Sequence, residues 1–239
     1  MTAELPTIAI LAGGLATRLR PLTEATPKSL VPVNGRPFIE HQLEALQAGG
    51  FQRVVICAGF LGEWIVDCIE DGHKLGMDVR YSFDGSVLLG TGGAIRKALP
   101  LLGSEFFVIY GDSYLCCDYK AVFEAFRQSN KMALMTVFKN DGEWDRSNVE
   151  FTDGEIRSYS KHRQTTRMRH IDYGLGVFRD AVFHGQPDGG PMDLAPLYEQ
   201  LLASDQLTAF EVTHRFYEIG SFQGIEDLSR HLRSMENKI

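Results

Sequence analysis

Two basic residues, Arg18 and Lys28, lie shortly after a pair of glycines in the segment 11–37, which reads LAGGLATRLRPLTEATPKSLVPVNGRP. Because glycine has no Cβ, the backbone N–H groups of Gly13 and Gly14 can approach an anion closely. The apolar run immediately before this turn is typical of a buried parallel strand. A strand, a glycine turn and two fixed cations together predict a site for the phosphates of a nucleoside triphosphate.

The glycine turn matches neither of the two common phosphate-binding loops. It lacks the G-x-x-x-x-G-K-[ST] pattern of ATPases, and Ala16 and Arg18 interrupt the G-x-G-x-x-G pattern of dinucleotide-binding oxidoreductases. Turn geometry alone would also account for the glycines. The function therefore depends on what accompanies the turn.

Two further segments carry candidate site residues. Asp112 follows the apolar run 106–110, so a carboxylate lies just beyond a buried strand, where an aspartate commonly caps the next turn. The string LGTGGA at 89–94 opens a predicted helix, and its glycines permit either a base or ribose against bare backbone or close helix packing. Asp84, just upstream, either accepts paired N–H donors such as those of guanine or is a solvated turn residue.

Short apolar runs alternate with amphipathic segments through the first half of the chain. This alternation predicts a parallel sheet covered by helices on both faces, with ligands at the carboxyl ends of the strands. The predicted strands cover 7–12, 53–58, 79–83, 105–110 and 132–138, and the predicted helices cover about 37–49, 61–71, 92–101 and 119–129.

Beyond residue 140 the pattern becomes richer in strands. Asp153 and Gly154 predict the turn of a hairpin. We therefore expect one domain, 1–239, made of a nucleotide-binding core (1–140) and an acceptor lobe with closing elements (141–239). The predicted elements are hairpin strands 148–151 and 156–160, a strand 171–178, a loop 185–191, a helix 193–203, strands near 208–212 and 215–219, and a helix 222–236.

Composition limits the partners and the compartment. At 239 residues, with 44% hydrophobic and 23% charged residues, the chain is typical of a soluble globular protein. A net charge of −7 argues against nucleic acid or an anionic membrane as a partner. Without a bilayer-length apolar stretch or a basic leader, we expect a cytoplasmic protein. The four cysteines have neither the number of a disulfide framework nor zinc spacing.

The whole amino-terminal string, with Pro21, Pro27 and Pro32, resembles the signature of the sugar-1-phosphate nucleotidyltransferases, G-G-x-G-T-R-L-x-P-L-T followed by P-K-x-L-x-P-V. It departs at Ala16, where the family usually has glycine. The resemblance implies an α/β, Rossmann-like, doubly wound and mostly parallel sheet with a small β-rich sugar-binding lobe, the GT-A-like nucleotidyltransferase fold. It also implies an enzyme whose partners are a nucleoside triphosphate and a sugar 1-phosphate, and which releases pyrophosphate.

The resemblance assigns roles to the candidate residues. It implies that Arg18 contacts the leaving pyrophosphate, Lys28 the reacting phosphates, and that Asp112 holds magnesium. The segment FYEIGS at 216–221 matches the family's W-x-D-I-G-T, which makes Glu218 the second magnesium ligand in place of aspartate. The expected nucleotide-binding residues are Leu11, Ala12, Gly13, Gly14, Thr17, Arg18, Asp84, Gly90, Thr91 and Gly92.

The acceptor side matches the family less closely. The family's Glu-Lys pair is here Ser160 and Lys161, so the lysine for the acceptor phosphate remains and the glutamate for sugar hydroxyls does not. The basic residues in 161–170 either gather phosphate or are merely solvated. The expected sugar-phosphate contacts are Asn148, Lys161, Asp172, Tyr173 and Gly174, with Asp172 and Tyr173 reading hydroxyls in place of the glutamate.

The string LGTGGAI, in a chain with no C-terminal repeat region, is most similar to the heptose 1-phosphate guanylyltransferases. That resemblance favours GTP and a heptose or mannose-like 1-phosphate. One alternative is a uridylyl or thymidylyl transferase acting on a hexose or amino-sugar 1-phosphate. Because Ala16, Ser160 and Glu218 depart from the family pattern, a catalytically weak nucleotide-sugar-binding regulatory protein is another. The oligomeric state is left open, with a homodimer as one option.

Overall fold

The computed structural model describes residues 4–14, 19, 26–185 and 190–236. Ala16 and the predicted site residues Thr17 and Arg18 lie outside them, as does most of the predicted loop 185–191. The strands are β1 (Ile8–Ala12), β2 (Pro32–Val33), β3 (Arg36–Pro37), β4 (Arg53–Ala58), β5 (Asp78–Phe83), β6 (Glu105–Tyr110), β7 (Ser113–Tyr114), β8 (Ala133–Lys139), β9 (Val149–Thr152), β10 (Glu155–Tyr159), β11 (His170–Arg179), β12 (Leu207–Val212) and β13 (Tyr217–Glu218).

Seven α-helices connect the strands of the described residues, and two short 3₁₀ helices (Lys28–Leu30 and His73–Leu75) lie between them. The α-helices are α1 (Phe38–Ala48), α2 (Gly62–Ile69), α3 (Gly90–Leu102), α4 (Tyr119–Ser129), α5 (Ala181–His184), α6 (Leu194–Ala203) and α7 (Phe222–Glu236). Each long predicted helix is present, with ends shifted by a few residues at most.

Nine strands form the central sheet, in the order β10-β9-β11-β6-β1-β4-β5, and β8 joins the other side of β11 and carries β12. The four strands β6, β1, β4 and β5 are mutually parallel, whereas β11 runs antiparallel to β6. The fold is therefore mixed α/β with a mostly parallel central sheet, as predicted. Parallel strands need crossover helices, which explains why the sheet is covered on both faces.

Alternating side chains of β1 divide the core into two layers. Ile8 and Ile10 pack with α1, α2 and α4 on one face. Ala9 packs with α3 and α6 on the other face. All three residues are fully buried, so β1 lies at the centre of the domain. Its carboxyl end is thereby fixed from both sides, which suits a strand that presents a binding turn.

In the described part of the chain, β9, β10, β11 and β12 of the predicted acceptor lobe belong to the central sheet. β8 and β11 pair with each other, β11 pairs with β6, and β12 pairs with β8. The predicted hairpin turn is present, with positive φ at Asp153 (55°) and Gly154 (80°). The proposed boundary near residue 140 therefore does not divide the sheet.

The region predicted as a strand at 215–219 contains only β13, which pairs with β7 instead of joining the central sheet. The prediction missed β2, β3, β7 and α5, because two-residue strands and a four-residue helix leave no usable period in a sequence. Within the described residues, no helix combines the length and apolarity needed to cross a membrane. A cytoplasmic location and a homodimer stay predictions.

Candidate active site

A cavity of about 400 Å³ opens at the carboxyl ends of β1 and β6. Segments distant in the sequence meet around it: the glycine turn after β1, the first 3₁₀ helix, the start of α3 and the loop after β6. It is the place where an open, mostly parallel sheet binds its ligands. Of the predicted residues, the cavity is lined by Leu11, Ala12, Gly13, Gly14, Lys28, Asp84, Gly90, Thr91 and Asp112.

The loop that presents Asp112 lies unusually close to the end of β1. The Gly111 N–H donates to Leu11 O at 2.9 Å. A Cβ at Gly111 would lie only 2.7 Å from the same carbonyl oxygen, so a larger residue would push the loop away. Glycine at this position therefore allows Asp112 to reach the cavity beside the glycine turn.

Lys28 and Asp112 form a direct ion pair across the cavity. The two side chains are 20% and 31% exposed, so the pair faces solvent and is open to a ligand. Ser113 Oγ donates to the other carboxylate oxygen of Asp112 at 3.3 Å. The predicted cation and the predicted metal ligand thus lie in contact.

The short pair β7–β13 brings Glu218 to the same place. Glu218 is opposite Ser113 in the antiparallel register, and the Ile219 N–H donates to Asp112 O at 3.0 Å. A Cβ at Gly220 would lie 3.4 Å from Lys28 Nζ and 3.7 Å from Glu218 Oε2, so both charged groups border one small volume. Both predicted metal ligands therefore come together beside Lys28.

The donor set at this point fits magnesium. Asp112 and Glu218 offer carboxylate oxygens, which Mg²⁺ prefers. The ion pair with the Lys28 ammonium shows that the Asp112 carboxylate is placed to accept a cation from the cavity. Among the residues that the structure describes, no group of three His, Cys, Asp or Glu side chains could hold a metal by itself. Two carboxylates would leave positions for phosphate oxygens and water, which is how Mg²⁺ is usually bound at phosphate sites.

The start of α3 is held by a segment that the sequence did not predict as a partner. Met192 O accepts the N–H groups of Gly92 (2.7 Å) and Gly93 (3.0 Å), and the Met192 N–H donates to Leu89 O at 2.8 Å. The nucleotide contact expected of Gly92 stays a prediction, and the structure supplies a second explanation for this glycine. Its N–H is already used, it does not line the cavity, and a Cβ there would lie 2.8 Å from Met192 Cε. Close packing explains this glycine.

Asp193 is a cavity residue that sequence reasoning missed. Its Oδ1 lies 3.4 Å from both the N–H and the hydroxyl of Thr91. The Thr91 hydroxyl also accepts the Leu194 N–H at 2.8 Å. An aspartate just before a helix is a common capping residue, so the sequence contained no signal for a role in the cavity.

Asp84 lies in the cavity wall and holds the loop that leads into α3. Its Oδ2 accepts the Leu89 N–H at 3.1 Å. Burial raises its pKa, while the Leu89 N–H and the nearby Lys97 act in the opposite direction. Both interpretations of Asp84, recognition of guanine N–H donors and a role in the turn, are compatible with this position. Its carboxylate lines the cavity and also accepts a backbone N–H of the loop.

The predicted acceptor residues gather around Tyr110, the last residue of β6. Lys161 Nζ lies 3.5 Å from the Tyr110 hydroxyl. Asn148 Oδ1 accepts the Asp172 N–H at 2.9 Å, and Asp172 Oδ1 accepts the Gly174 N–H at 3.0 Å. Burial raises the pKa of Asp172, and Lys161 opposes that rise. At φ +89°, Gly174 permits a close approach to the Tyr110 ring.

Tyr173 does not reach the acceptor side, and its predicted role is corrected. It is 1% exposed, and its hydroxyl accepts the Cys116 N–H at 3.2 Å and lies 3.3 Å from Cys116 O. Its ring packs against Phe138 and Phe216. Successive residues of a strand point to opposite faces, so Asp172 and Tyr173 cannot both face one ligand.

Ser160 and the basic residues after it have local partners. The Ser160 hydroxyl accepts the N–H groups of His162 (3.3 Å) and Arg163 (3.2 Å), so serine organises the turn where the family has glutamate. Arg167 pairs with Glu150, Arg169 with Asp141, and His170 Nε2 lies 3.0 Å from Glu211. These pairs give Arg167, Arg169 and His170 carboxylate partners within the protein, which for these three residues weighs against the gathering of phosphate.

The comparison with known proteins agrees with this geometry. A protein-family model described as nucleotidyl transferase matches residues 8–147. The chain belongs to this family. Members of the family generally use a divalent metal ion, and their substrates are a nucleoside triphosphate and a sugar 1-phosphate.

Several relatives of this nucleotidyltransferase are sugar-1-phosphate enzymes. The N-acetylmuramate α-1-phosphate uridylyltransferase of Neisseria meningitidis is 29% identical over 89% of this chain and 92% of its own length. The D-glycero-α-D-manno-heptose 1-phosphate guanylyltransferase of Campylobacter jejuni is 31% identical over 57% of this chain and 59% of its own length. HddC from Yersinia pseudotuberculosis, in its crystal structure complexed with GMP-PN, is 25% identical in sequence to this chain. The two structures superpose with a TM-score of 0.79 over 95% of this chain and 100% of that one.

Proposed function

We propose that this chain transfers a nucleotidyl group from a nucleoside triphosphate to a sugar 1-phosphate. A phosphate oxygen of the sugar 1-phosphate attacks the α-phosphorus, the bond to the β-phosphate breaks, and pyrophosphate leaves. The observation that carries the proposal is the cavity of about 400 Å³ where the glycine turn, Lys28, Asp112 and the start of α3 meet. Since no protein nucleophile is needed, positioning and charge neutralisation supply the acceleration.

The charged residues have separate roles in this proposal. Lys28 neutralises the reacting phosphates and Arg18 the leaving pyrophosphate. The ion pair with Asp112 keeps the Lys28 ammonium where phosphate charge arrives. Asp112 and Glu218 would hold magnesium, which when bound supplies further charge neutralisation.

GTP is the donor in our proposal, and a heptose or mannose-like 1-phosphate is the acceptor. Asp84 supports GTP, because a carboxylate in the cavity wall can accept the adjacent N–H donors on one edge of guanine. The similarity to a heptose 1-phosphate guanylyltransferase and to HddC in complex with GMP-PN supports the same choice. Asn148, Lys161, Asp172 and Gly174 are the proposed acceptor contacts.

A uridylyl transferase acting on an amino-sugar 1-phosphate is the second candidate. The specific observation in its favour is the uridylyltransferase of Neisseria meningitidis, whose similarity covers 92% of that relative and 89% of this chain. In this case Asp84 would act only as the cap of the Leu89 N–H.

The two candidates separate in a direct assay. The melting temperature of the protein is measured with each of GTP, UTP, dTTP and CTP at equal Mg²⁺, and pyrophosphate release is then measured with a panel of sugar 1-phosphates. We expect the largest rise and the fastest release with GTP. A rise with UTP or dTTP and none with GTP would overturn the guanylyl assignment. No release across the panel, beside intact nucleotide binding, would favour a regulatory binder.

A further inference from the structure

Gln42 is a buried amide that contacts the backbone on both sides of Asp112. Its side chain, on α1, is 1% exposed. The Nε2 group donates to Tyr110 O at 2.9 Å and to Ser113 O at 2.7 Å. Gly111 and Asp112 lie between these two carbonyls, so one side chain spans the loop that presents the carboxylate.

This contact uses two N–H donors on one atom, which the amide nitrogen of Gln42 supplies without a charge. Both neighbours are carbonyl oxygens, and only a group with two N–H donors on one atom can serve both. The Gln42 Oε1 atom is buried and has no hydrogen-bond partner among the residues that the structure describes. Burying an unpartnered acceptor lowers stability, so a glutamine that only filled the core would be less stable there than an apolar side chain.

A second tie holds the same loop from the opposite side. The Ile219 N–H, directly after β13, donates to Asp112 O at 3.0 Å. Gln42 therefore holds the loop from α1, and the residue after β13, the strand that carries Glu218, holds it from another element. The backbone on either side of the Asp112 side chain is fixed at Tyr110, Asp112 and Ser113.

We propose that Gln42 is a positioning residue that holds Asp112 in the geometry needed for nucleotidyl transfer. The inference rests on the proposed function, because it assigns importance to Asp112. Gln42 touches no substrate and acts through the two carbonyls. Without its amide, the loop 111–113 keeps its sequence, its charge and its hydrogen bonds to Leu11 and Ile219, but loses both hydrogen bonds to α1.

The test compares Gln42→Met with a matched control. Methionine keeps the length of the side chain and removes both donors. Thr136→Val is the control, because Thr136 is also fully buried and donates to a single carbonyl, Leu175 O, at 2.7 Å. We expect Gln42→Met to lower kcat roughly 10- to 100-fold with little change in the KM for the triphosphate, as for a displaced catalytic group. Thr136→Val should leave kcat within about 3-fold at a comparable melting temperature.

A structural readout accompanies the kinetics. Amide hydrogen exchange across 110–114, measured by mass spectrometry, should accelerate in Gln42→Met and not in Thr136→Val. If Gln42→Met does not fold, Gln42→Asn serves instead, because its amide is one methylene too short to reach both carbonyls. Unchanged exchange and unchanged kcat in a folded variant would overturn the proposal.

A double variant distinguishes positioning from general damage. Combined with Asp112→Asn, Gln42→Met should add little further loss of kcat, because both changes act on one unit. A full multiplicative loss would mean that Gln42 acts elsewhere, which also overturns the proposal. If Asp112→Asn alone keeps normal turnover, the proposed function fails. If Asp112→Asn is inactive and Gln42→Met is normal, only the inference about Gln42 fails.

Discussion

Replacing Lys28 by methionine tests whether Lys28 is a catalytic cation or only one partner of an ordinary surface ion pair. Lys28 contacts Asp112 directly, but the two side chains are 20% and 31% exposed. Pairs that face solvent contribute about 0–1 kcal/mol to stability, because water solvates the partner that remains. For a chain of this size, a loss of about 1 kcal/mol lowers the melting temperature by roughly 2–4 °C.

The expected effect on turnover is much larger. A well-placed charge that stabilises a transition state contributes about 10²–10³ in rate, or roughly 2.7–4 kcal/mol. Lys28→Met should therefore lower kcat/KM by about 10²–10³ while the protein stays folded. The assay is pyrophosphate release at saturating Mg²⁺, with the melting temperature measured on the same sample.

Lys131→Met is the matched control for this experiment. Lys131 is 27% exposed, pairs with Asp205 at 2.7 Å and does not line the cavity. It should show a similar small loss of stability and unchanged turnover. The reasoning is refuted if Lys28→Met keeps kcat/KM within about 3-fold, or if Lys131→Met loses activity to the same degree.

Three other substitutions test separate parts of the site. Asp84→Asn should weaken GTP binding by about 10- to 100-fold in calorimetry, since a hydrogen bond to a charged group contributes about 1.5–3 kcal/mol, and unchanged GTP affinity would contradict guanine recognition. Gly111→Ala should lose about 1–3 kcal/mol of stability in urea unfolding together with activity, because its Cβ would lie 2.7 Å from Leu11 O. Tyr173→Phe should lose about 1 kcal/mol of unfolding free energy and leave the KM for the sugar 1-phosphate unchanged, whereas Asp172→Asn should raise that KM. A raised KM in Tyr173→Phe would support the sugar-phosphate contact first expected of Tyr173.

The central sheet could be predicted because its strands are long enough to show their period. The placement of Glu218 near Asp112 could not, because it depends on the pairing of β7 with β13. Each of these strands has only two residues, too few to show a period, and their pairing places Ser113 opposite Glu218, which lies far along the chain. Only the resemblance of the FYEIGS string to a family motif pointed to Glu218.

The surroundings of Gly92 and Tyr173 differ from the expected ones for two different physical reasons. Gly92 contacts Met192, and no local pattern predicts which distant segment will cover a glycine at the start of a helix. For Tyr173 the signal was present, since consecutive residues of a strand face opposite ways and Asp172 already faced the site. The role of Arg18 stays a prediction, because that residue lies outside the described part of the chain.

The position of β6 explains why the reacting groups lie where they do. β6 pairs with β1 on one edge and with β11 on the other. In the proposed function, β1 leads into the glycine turn that binds the triphosphate, and β11 carries Asp172 and Gly174, which contact the acceptor. The proposal therefore places the meeting point of the two substrates at the end of β6. Tyr110 ends that strand and Asp112 follows it, so the turn at Gly111 would bring the proposed metal ligand to both phosphates.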